Sequence, residues 1–240
     1  MVKPYLILVK YHIALKRIRY LRIQFDAEIA AYEIPAFRGA VIAKTGPEHI
    51  LFHNHLNEKE FLYGYPVIQY KRIGKNPALV CVDYGVDEVH HLFVNHDLNI
   101  TIGQRPITLS VRNLQMDQYT LQVWQRMFVY RLYNWLALNQ ENYKAYNQLE
   151  DEFSRIEYLE NILKANILSF AKGMKWDVDK TISLRIDNII HSKPVPFKKQ
   201  RLMAFDIQFK SNVFLPDYLG LGKGVSLGFG TVTRVRDDKK

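Results

Sequence analysis

Cysteine is almost absent from this 240-residue chain, and the single Cys81 can form no internal disulfide. It lies in the apolar run ALVCV, which is typical of a buried strand. Proteins without disulfides are the norm in reducing compartments, so we predict a cytoplasmic location. Long hydrophobic runs are lacking too. The N-terminal YLILV is too short for a signal-peptide core and no run approaches a membrane span, so we expect no membrane partner.

Acidic residues are in deficit. The chain has 33 lysines and arginines against 24 aspartates and glutamates, which gives a net charge of +9 and a pI near 9.4. Such a balance favours a polyanionic partner, most simply nucleic acid. An apolar fraction of 48% with 13% aromatics is ample for a packed core and excludes the disordered class. The length allows one large domain or two small ones.

Glycine is scarce except near the C-terminal end, in the segment LGLGKGVSLGFG that we call the glycine-rich loop (Leu219 to Gly230). Glycine permits positive φ and close approach of a ligand, and backbone N–H groups beside a lysine suit a phosphate oxygen. The loop offers a candidate phosphate or RNA contact, although composition alone favours a flexible hairpin equally. The candidate binding residues are Gly220, Gly222, Lys223, Gly224, Ser226, Gly228 and Gly230.

The usual nucleotide-binding motifs are not met by this loop. A Walker-type loop would need glycine at position 217, where Asp217 stands, and Ser or Thr at 224. The dinucleotide fingerprint would need glycine at 225 or 227, which are Val225 and Leu227. Strand-like residues flank the loop on both sides.

Periodicity predicts the order β-α-β-β-α-β over about the first 105 residues, the ferredoxin-like unit. The predicted elements are a strand at Arg17–Phe25, a helix from Pro35 to Gly46-Pro47, strands at Tyr65–Ile73 and Ala78–Asp83, a short helix at Val86–Val94 and a strand at Leu98–Ile102. The second half is predicted to be a modified copy. Its elements are an amphipathic helix from Phe153 to Phe170 that stops at Gly173, then strands near 182–186, 205–209 and 231–236.

We therefore predict an α+β fold of two tandem ferredoxin-like (RRM-like) domains, residues 1–116 and 117–240, with the glycine-rich loop near the C-terminus. The aromatic segment from Leu132 to Gln148 has a spacing that suits core packing, and we assign Trp135 and Leu138 to the core rather than to base stacking.

Three histidines, His49, His53 and His55, stand close together in EHILFHNHLNEKEF. His53 and His55, spaced i, i+2, lie on one side of an extended segment, so both can face one phosphate and exchange protons near neutral pH. A zinc site and a solvated loop with ordinary histidines are alternatives. Zinc is disfavoured because His90 and His91 form the only further histidine pair with suitable spacing, and we assign no metal. His90, His91 and His96 are given no role.

Four motifs together resemble a known family: FRGAVI (Phe37 to Ile42), FHNHL (Phe52 to Leu56), YGYPVIQYK (Tyr63 to Lys71) and GLGKGVSLGFGTV (Gly220 to Val232). The chain resembles the CRISPR-associated endoribonucleases that cut repeat RNA to release guide RNAs, within the repeat-associated mysterious protein superfamily. The resemblance covers residues 17 to 236. In one branch two histidines two residues apart are implicated in cleavage, and they match His53 and His55. A lysine and a tyrosine are implicated as well, and Lys44 and Tyr63 are the corresponding residues.

The resemblance implies a metal-independent transesterification that needs no cofactor. The ribose 2′-OH attacks the adjacent phosphorus and leaves a 2′,3′-cyclic phosphate and a 5′-OH. The two histidines would act as base and acid, and Lys44 or Lys59 would stabilise the phosphorane charge. The implied partner is the CRISPR precursor RNA; membership of a CRISPR interference complex and homodimerisation are left open. The alternatives are a non-catalytic RNA-binding subunit of such a complex and a zinc-dependent hydrolase.

Overall fold

A computed structural model describes residues 16–53, 64–94 and 97–236 of the chain. The first half forms these helices and strands: β1 (Lys16–Phe25), α1 (Ile34–Thr45), α2 (Ile50–His53), β2 (Ile68–Ile73), β3 (Asn76–Val82), α3 (Gly85–Glu88), β4 (Asn99–Ile102), β5 (Arg105–Thr108) and β6 (Val111–Leu121). The second half forms β7 (Val123–Trp135), α4 (Gln140–Gln148), α5 (Glu152–Gly173), β8 (Leu184–Phe197), β9 (Gln200–Val213) and β10 (Thr231–Arg234). Short 3₁₀ turns precede α1 (Ala31–Glu33), follow α3 (Val89–Leu92) and lie within the glycine-rich loop (Val225–Leu227).

The first domain has an antiparallel sheet in the order β2-β3-β1-β6. This is the ferredoxin-like order, in which the last strand returns to lie beside the first. The prediction that the Leu98–Ile102 strand closes this sheet is wrong. That strand is β4, which turns at Gly103 and pairs with β5 in a separate two-stranded sheet.

The closing strand is β6, which pairs with β1 along its full length, from Lys16 opposite Leu121 to Phe25 opposite Val111. Met116, the predicted domain boundary, lies in the middle of β6 opposite Leu21. The first sheet therefore uses the chain as far as Leu121.

The second domain repeats the same strand order, β10-β7-β9-β8. Helix α5 provides the crossover between β7 and β8, and it buries Leu159, Leu163, Ile167 and Phe170 on one face, as the sequence predicts. Phe153, which we expected on the same stripe, is 70% exposed. Between β9 and β10, where a second helix would complete the motif, the chain forms the glycine-rich loop. The α+β fold of two tandem ferredoxin-like domains is thus confirmed.

One continuous hydrophobic core joins the two sheets. Trp135 and Leu138 are fully buried in it, as predicted, and so is the free Cys81. Contacts between the domains are specific: the Tyr20 hydroxyl donates to the Asp217 carbonyl at 2.8 Å. Within the described ranges, no helix combines the length and apolar character needed to cross a membrane.

Candidate functional site

The segment between α1 and β2 carries the paired-histidine motif, and the structure describes its first part, through His53. Helix α1 ends at Thr45 because Gly46 adopts a φ of 99° while its amide donates to the Ile42 carbonyl. Helix α2 is then a single turn that buries Phe52 and ends at His53. His53 therefore follows directly on a residue that is anchored in the core.

Two side chains hold the end of α2 in place. Arg38 donates from Nη2 to the His53 carbonyl at 2.7 Å, and the Tyr70 hydroxyl donates to the Phe52 carbonyl at 3.1 Å. Burial lowers the pKa of Arg38, whose guanidinium lies 6.0 Å from the centre of the Tyr70 ring. The last carbonyls of a helix have no intrahelical partners, so these two donors fix the main chain at His53.

The His53 ring turns back toward its own segment, with Nε2 2.8 Å from the Pro47 carbonyl. A carbonyl can only accept, so the Nε2 nitrogen carries the proton in this bond. This contact holds the ring against the turn that follows α1.

Lys44 forms an ion pair with Asp97, just before β4, and its side chain is 15% exposed. The lysine's hydrogen bond lowers the pKa of the Asp97 carboxyl. The structure thus places Lys44 against a carboxylate. The other predicted residues of the histidine motif, His55, Lys59 and Tyr63, lie outside the described residues, so their grouping with His53 stays a prediction.

The two arms of the glycine-rich loop hydrogen-bond to each other and to neighbouring strands. The Leu221 amide donates to the Gly230 carbonyl and the Gly230 amide to the Asn134 carbonyl. The Gly228 and Phe229 amides bond within the loop, to Val225 and Gly224. The loop is therefore an ordered turn that uses many of its own amides, and Lys223 (exposed) and Ser226 (half-buried) are polar residues on its surface.

Close packing explains why glycines are concentrated here. A Cβ at Gly230, where φ is 61°, would lie 1.8 Å from the Leu221 carbonyl oxygen, which no side chain can tolerate. Positive φ angles recur at Gly222, Gly224 and Gly228. The glycines are thus required by the folding of the loop itself.

The first domain clamps the start of the loop through β2 and the residues just before it. The Tyr65 hydroxyl donates to the Gly220 carbonyl at 2.7 Å, and Gln69 accepts from the Gly220 amide at 2.9 Å. Gln69 also donates to the Tyr65 hydroxyl at 2.9 Å. Our sequence reasoning missed this clamp. The available signal was a pair of polar residues, Gln69 and Lys71, spaced i, i+2 on one face of β2.

Lys71 lies beneath the loop and is 1% exposed. Its Nζ is 3.3 Å from the Thr231 hydroxyl and 3.5 Å from the Val225 carbonyl. No ion pair with a carboxylate is found for it among the described residues. Burial without a counter-charge lowers the pKa of Lys71 to about 7.

The turn of the long β8–β9 hairpin packs against the outer side of the loop. The Phe197 and Phe229 rings meet edge to face, 5.7 Å apart, and Lys223 Nζ lies 5.6 Å from the centre of the Phe197 ring. The hairpin turn continues with Lys198 and Lys199, which are exposed. A basic surface thus forms where the glycine-rich loop meets the hairpin turn.

A second histidine group was also missed by the sequence analysis. The structure brings His49 together with His91, to which we gave no role, and with Glu88. The signal for this group was the i, i+3 spacing of Glu88 and His91 on a short helical segment.

Comparisons with known proteins match both halves of the chain to one family. The protein-family model of the Cas6b N-terminal domain matches residues 16–120 of the sequence. The family model of the Cas6b C-terminal domain matches residues 122–235. A solved structure described as Cas6b has a TM-score of 0.82 and 28% identity, covering 91% of this chain and 100% of that one. A second, described as the CRISPR RNA processing endoribonuclease Cas6b, has a TM-score of 0.69 and 26% identity over the same shares.

An uncharacterised protein of Methanocaldococcus jannaschii is 36% identical over 119 residues, which is 48% of this chain and 78% of that protein.

The two family models meet at the end of β6, where the first sheet is complete. Since both models match in order along one chain, the protein belongs to the CRISPR-associated Cas6b family.

Proposed function

We propose that the protein is a metal-independent endoribonuclease that cleaves CRISPR repeat RNA in the precursor transcript and releases guide RNAs. The observation that carries the proposal is the histidine pair, His53 and His55, in a chain that matches both Cas6b domain models. A similar solved structure is described as a CRISPR RNA processing endoribonuclease. The basic surface between the glycine-rich loop and the hairpin turn suits an RNA partner.

The reaction we propose begins with attack of a ribose 2′-OH on the adjacent phosphorus. One histidine of the pair takes the 2′-OH proton, and the other protonates the departing 5′ oxygen. The P–O5′ bond breaks as the new P–O2′ bond forms, which leaves a 2′,3′-cyclic phosphate and a 5′-OH. The ribose supplies the nucleophile, so the reaction needs no activated water.

The geometry at His53 supports its part in this reaction. Its backbone is fixed by Arg38 directly after the buried Phe52, and its Nε2 lies 2.8 Å from the Pro47 carbonyl. We propose that Tyr63 completes the site together with Lys44. The ammonium of Lys44 is the cation for the phosphorane, and an RNA phosphate would compete with Asp97 for it.

We propose that the glycine-rich loop binds the RNA backbone through the residues on its surface. Lys223 and Ser226 offer an ammonium and a hydroxyl to phosphate oxygens. Gly220, Gly222, Gly224, Gly228 and Gly230 give the loop the shape that presents them. The loop packs against α1 and β2 of the first domain, since Gly228 lies against Ile34 and the Tyr70 carbonyl. RNA held there would run close to the element that leads to the histidines.

The test is incubation with the repeat RNA of the same genome's CRISPR array in excess EDTA. We expect one cut per repeat, with a 5′-OH on one product and a 2′,3′-cyclic phosphate on the other. Loss of cleavage in EDTA by protein that circular dichroism shows to be still folded, with recovery on addition of Zn²⁺ or Mg²⁺, would contradict the metal-independent mechanism. Tight binding without any cut would instead make the protein a non-catalytic RNA-binding subunit.

A further inference from the structure

A cluster of two imidazoles and a carboxylate joins two segments of the first domain. His49 lies between α1 and α2, whereas Glu88 ends α3 and His91 lies in the 3₁₀ turn that follows. One ligand atom from each of the three side chains lies within 4.8 Å of the others. The His49 and His91 rings stack with centroids 3.6 Å apart, and His91 Nε2 is 3.8 Å from a Glu88 oxygen.

The segments that carry these side chains are well anchored. Phe52, three residues after His49, and Leu92, directly after His91, are both buried in the core. Glu88 and His91 are spaced i, i+3, which puts them on the same face of their helical segment. The side chains themselves remain partly exposed, at 22% for His49, 32% for Glu88 and 25% for His91. An ion can therefore enter from solvent, while the backbone positions of its ligands are held by packing.

The three side chains offer the donor atoms that a transition-metal ion needs, two imidazole nitrogens and a carboxylate oxygen, and they converge from two separate segments. A neutral imidazole keeps a lone pair for a metal ion, and the Glu88 carboxylate supplies the negative charge.

We propose that His49, Glu88 and His91 bind a divalent transition-metal ion, with Zn²⁺ as the best match. Two imidazoles and one carboxylate are an established zinc donor set, with water in the fourth position. Imidazole ligands select against Mg²⁺ and Ca²⁺, which prefer oxygen. An ion bound there would link the start of α2 to the turn after α3. This proposal does not depend on the function proposed above.

Binding requires a small rearrangement of the two rings. Zn–N distances of about 2.0–2.1 Å put tetrahedral ligand atoms about 3.3 Å apart, with the ion in the plane of each ring. The stacked rings, at 28° to each other, must therefore turn about their side-chain torsions until both lone pairs point at one position. Rotations of this kind are available to side chains that are about a quarter exposed.

The test is metal titration of the full-length protein after removal of metals with chelator. Zn²⁺ is measured by competition with a chromophoric chelator, and Co²⁺ by its visible absorption, which reports low-coordinate geometry. We expect about one equivalent to bind at this cluster, and a melting temperature higher by about 5–10 °C at a hundred-fold excess over Kd. No saturable binding by the wild type would overturn the proposal.

Variants locate the ion. H49Q and H91Q should weaken Zn²⁺ binding by more than about 100-fold, since loss of outer-shell partners alone costs 10–100-fold. E88Q, a conservative change at a partly exposed side chain, should weaken it as well, and circular dichroism verifies that each variant is folded.

Two matched controls should keep wild-type affinity. H191Q removes an exposed histidine on β8, in the second domain. The double variant H53A/H55A removes the proposed catalytic pair. Binding that survives H49Q and H91Q but disappears in H53A/H55A would place the ion at the catalytic pair and refute the cluster as its site.

Discussion

Lys71 is a buried lysine that forms no ion pair with any carboxylate in the described part of the chain. Its ammonium faces the Thr231 hydroxyl and the Val225 carbonyl, and its pKa falls to about 7. Between pH 7 and the ordinary lysine value near 10.5, the unfolded chain binds a proton that the folded chain does not. The free energy of unfolding therefore rises with pH across this window.

Lys71→Met should remove this dependence. Below pH 7 the wild type buries a charge that the variant lacks, so we expect the variant to melt about 5 °C higher at pH 6, with the difference shrinking toward pH 9. The measurement is thermal unfolding of both proteins from pH 6 to 9. Lys75→Met, at an exposed lysine in the turn after β2, is the control and should show no such trend. A constant difference across the pH range would mean that Lys71 is not the titrating group.

The histidine pair should matter for cleavage and little for affinity. We predict that His53→Ala combined with His55→Ala lowers the cleavage rate by more than about 10⁴-fold, since each acid–base group contributes 10²–10⁴-fold. Repeat-RNA affinity should stay within about two-fold of the wild type, because the basic surface lies elsewhere. Single-turnover cleavage and filter binding measure the two quantities. A parallel loss of both would show that the pair supports the fold of the segment instead.

At the scale of elements, sequence periodicity predicted most of the strands and helices but chose the wrong closing strand. Strand β6 has mostly exposed side chains, including Leu114 and Met116, so it shows little of the apolar alternation that marks a half-buried strand. The LNITI stretch alternates well, yet it pairs locally because Gly103 turns the chain back at once. Pairing with β1 is a long-range property that local pattern cannot reveal.

Prediction of the candidate site from the sequence is limited in the same way. The sequence singled out the glycine-rich loop and the histidine pair as candidates, since each is a local cluster of unusual residues. It missed the clamp of Tyr65 and Gln69 on Gly220, which joins residues about 150 positions apart. It also missed the approach of His49 to His91. Both depend on tertiary packing, for which a single sequence gives only an indirect signal.

Two glycines make it possible to separate the destabilisation caused by a steric clash from that caused by a left-handed backbone conformation. Gly103 and Gly230 have nearly the same φ, 63° and 61°, but a Cβ has open space at Gly103 and collides with the Leu221 carbonyl at Gly230. Gly103→Ala should cost about 1–2 kcal/mol through its left-handed conformation alone. Gly230→Ala should lower the free energy of unfolding by several kcal/mol more than Gly103→Ala does. Urea denaturation of both variants measures this difference. Equal losses in the two variants would contradict the packing account.

At the scale of the whole molecule, the two domains share one core, and the glycine-rich loop of the second is fastened to β2 of the first. The RNA surface we propose therefore lies on the second domain and is held in place by the first. The affinity of the protein for repeat RNA should depend on contacts to phosphates and fall steeply as the salt concentration rises.

Lys223→Ala should weaken binding of repeat RNA and flatten its salt dependence. Each phosphate neutralised contributes about 0.7 to the slope of log K against log salt concentration for single strands, so the slope should fall by about that amount. Lys75→Ala, at a lysine paired with Glu28 in a turn of the first sheet, is the charge-matched control and should leave the slope unchanged. The same slope for Lys223→Ala as for the wild type would remove this residue from the RNA surface.

The most direct measurement of the central claim uses an RNA that lacks one hydroxyl. A repeat RNA with a 2′-deoxynucleotide immediately 5′ of the scissile phosphate has no internal nucleophile. We predict that the protein does not cleave it in EDTA, binds it as tightly as the unmodified RNA, and is competitively inhibited by it. Cleavage of the deoxy RNA, or a product that carries a 5′-phosphate, would show that water attacks the phosphorus and would contradict ribose-driven, metal-independent cleavage.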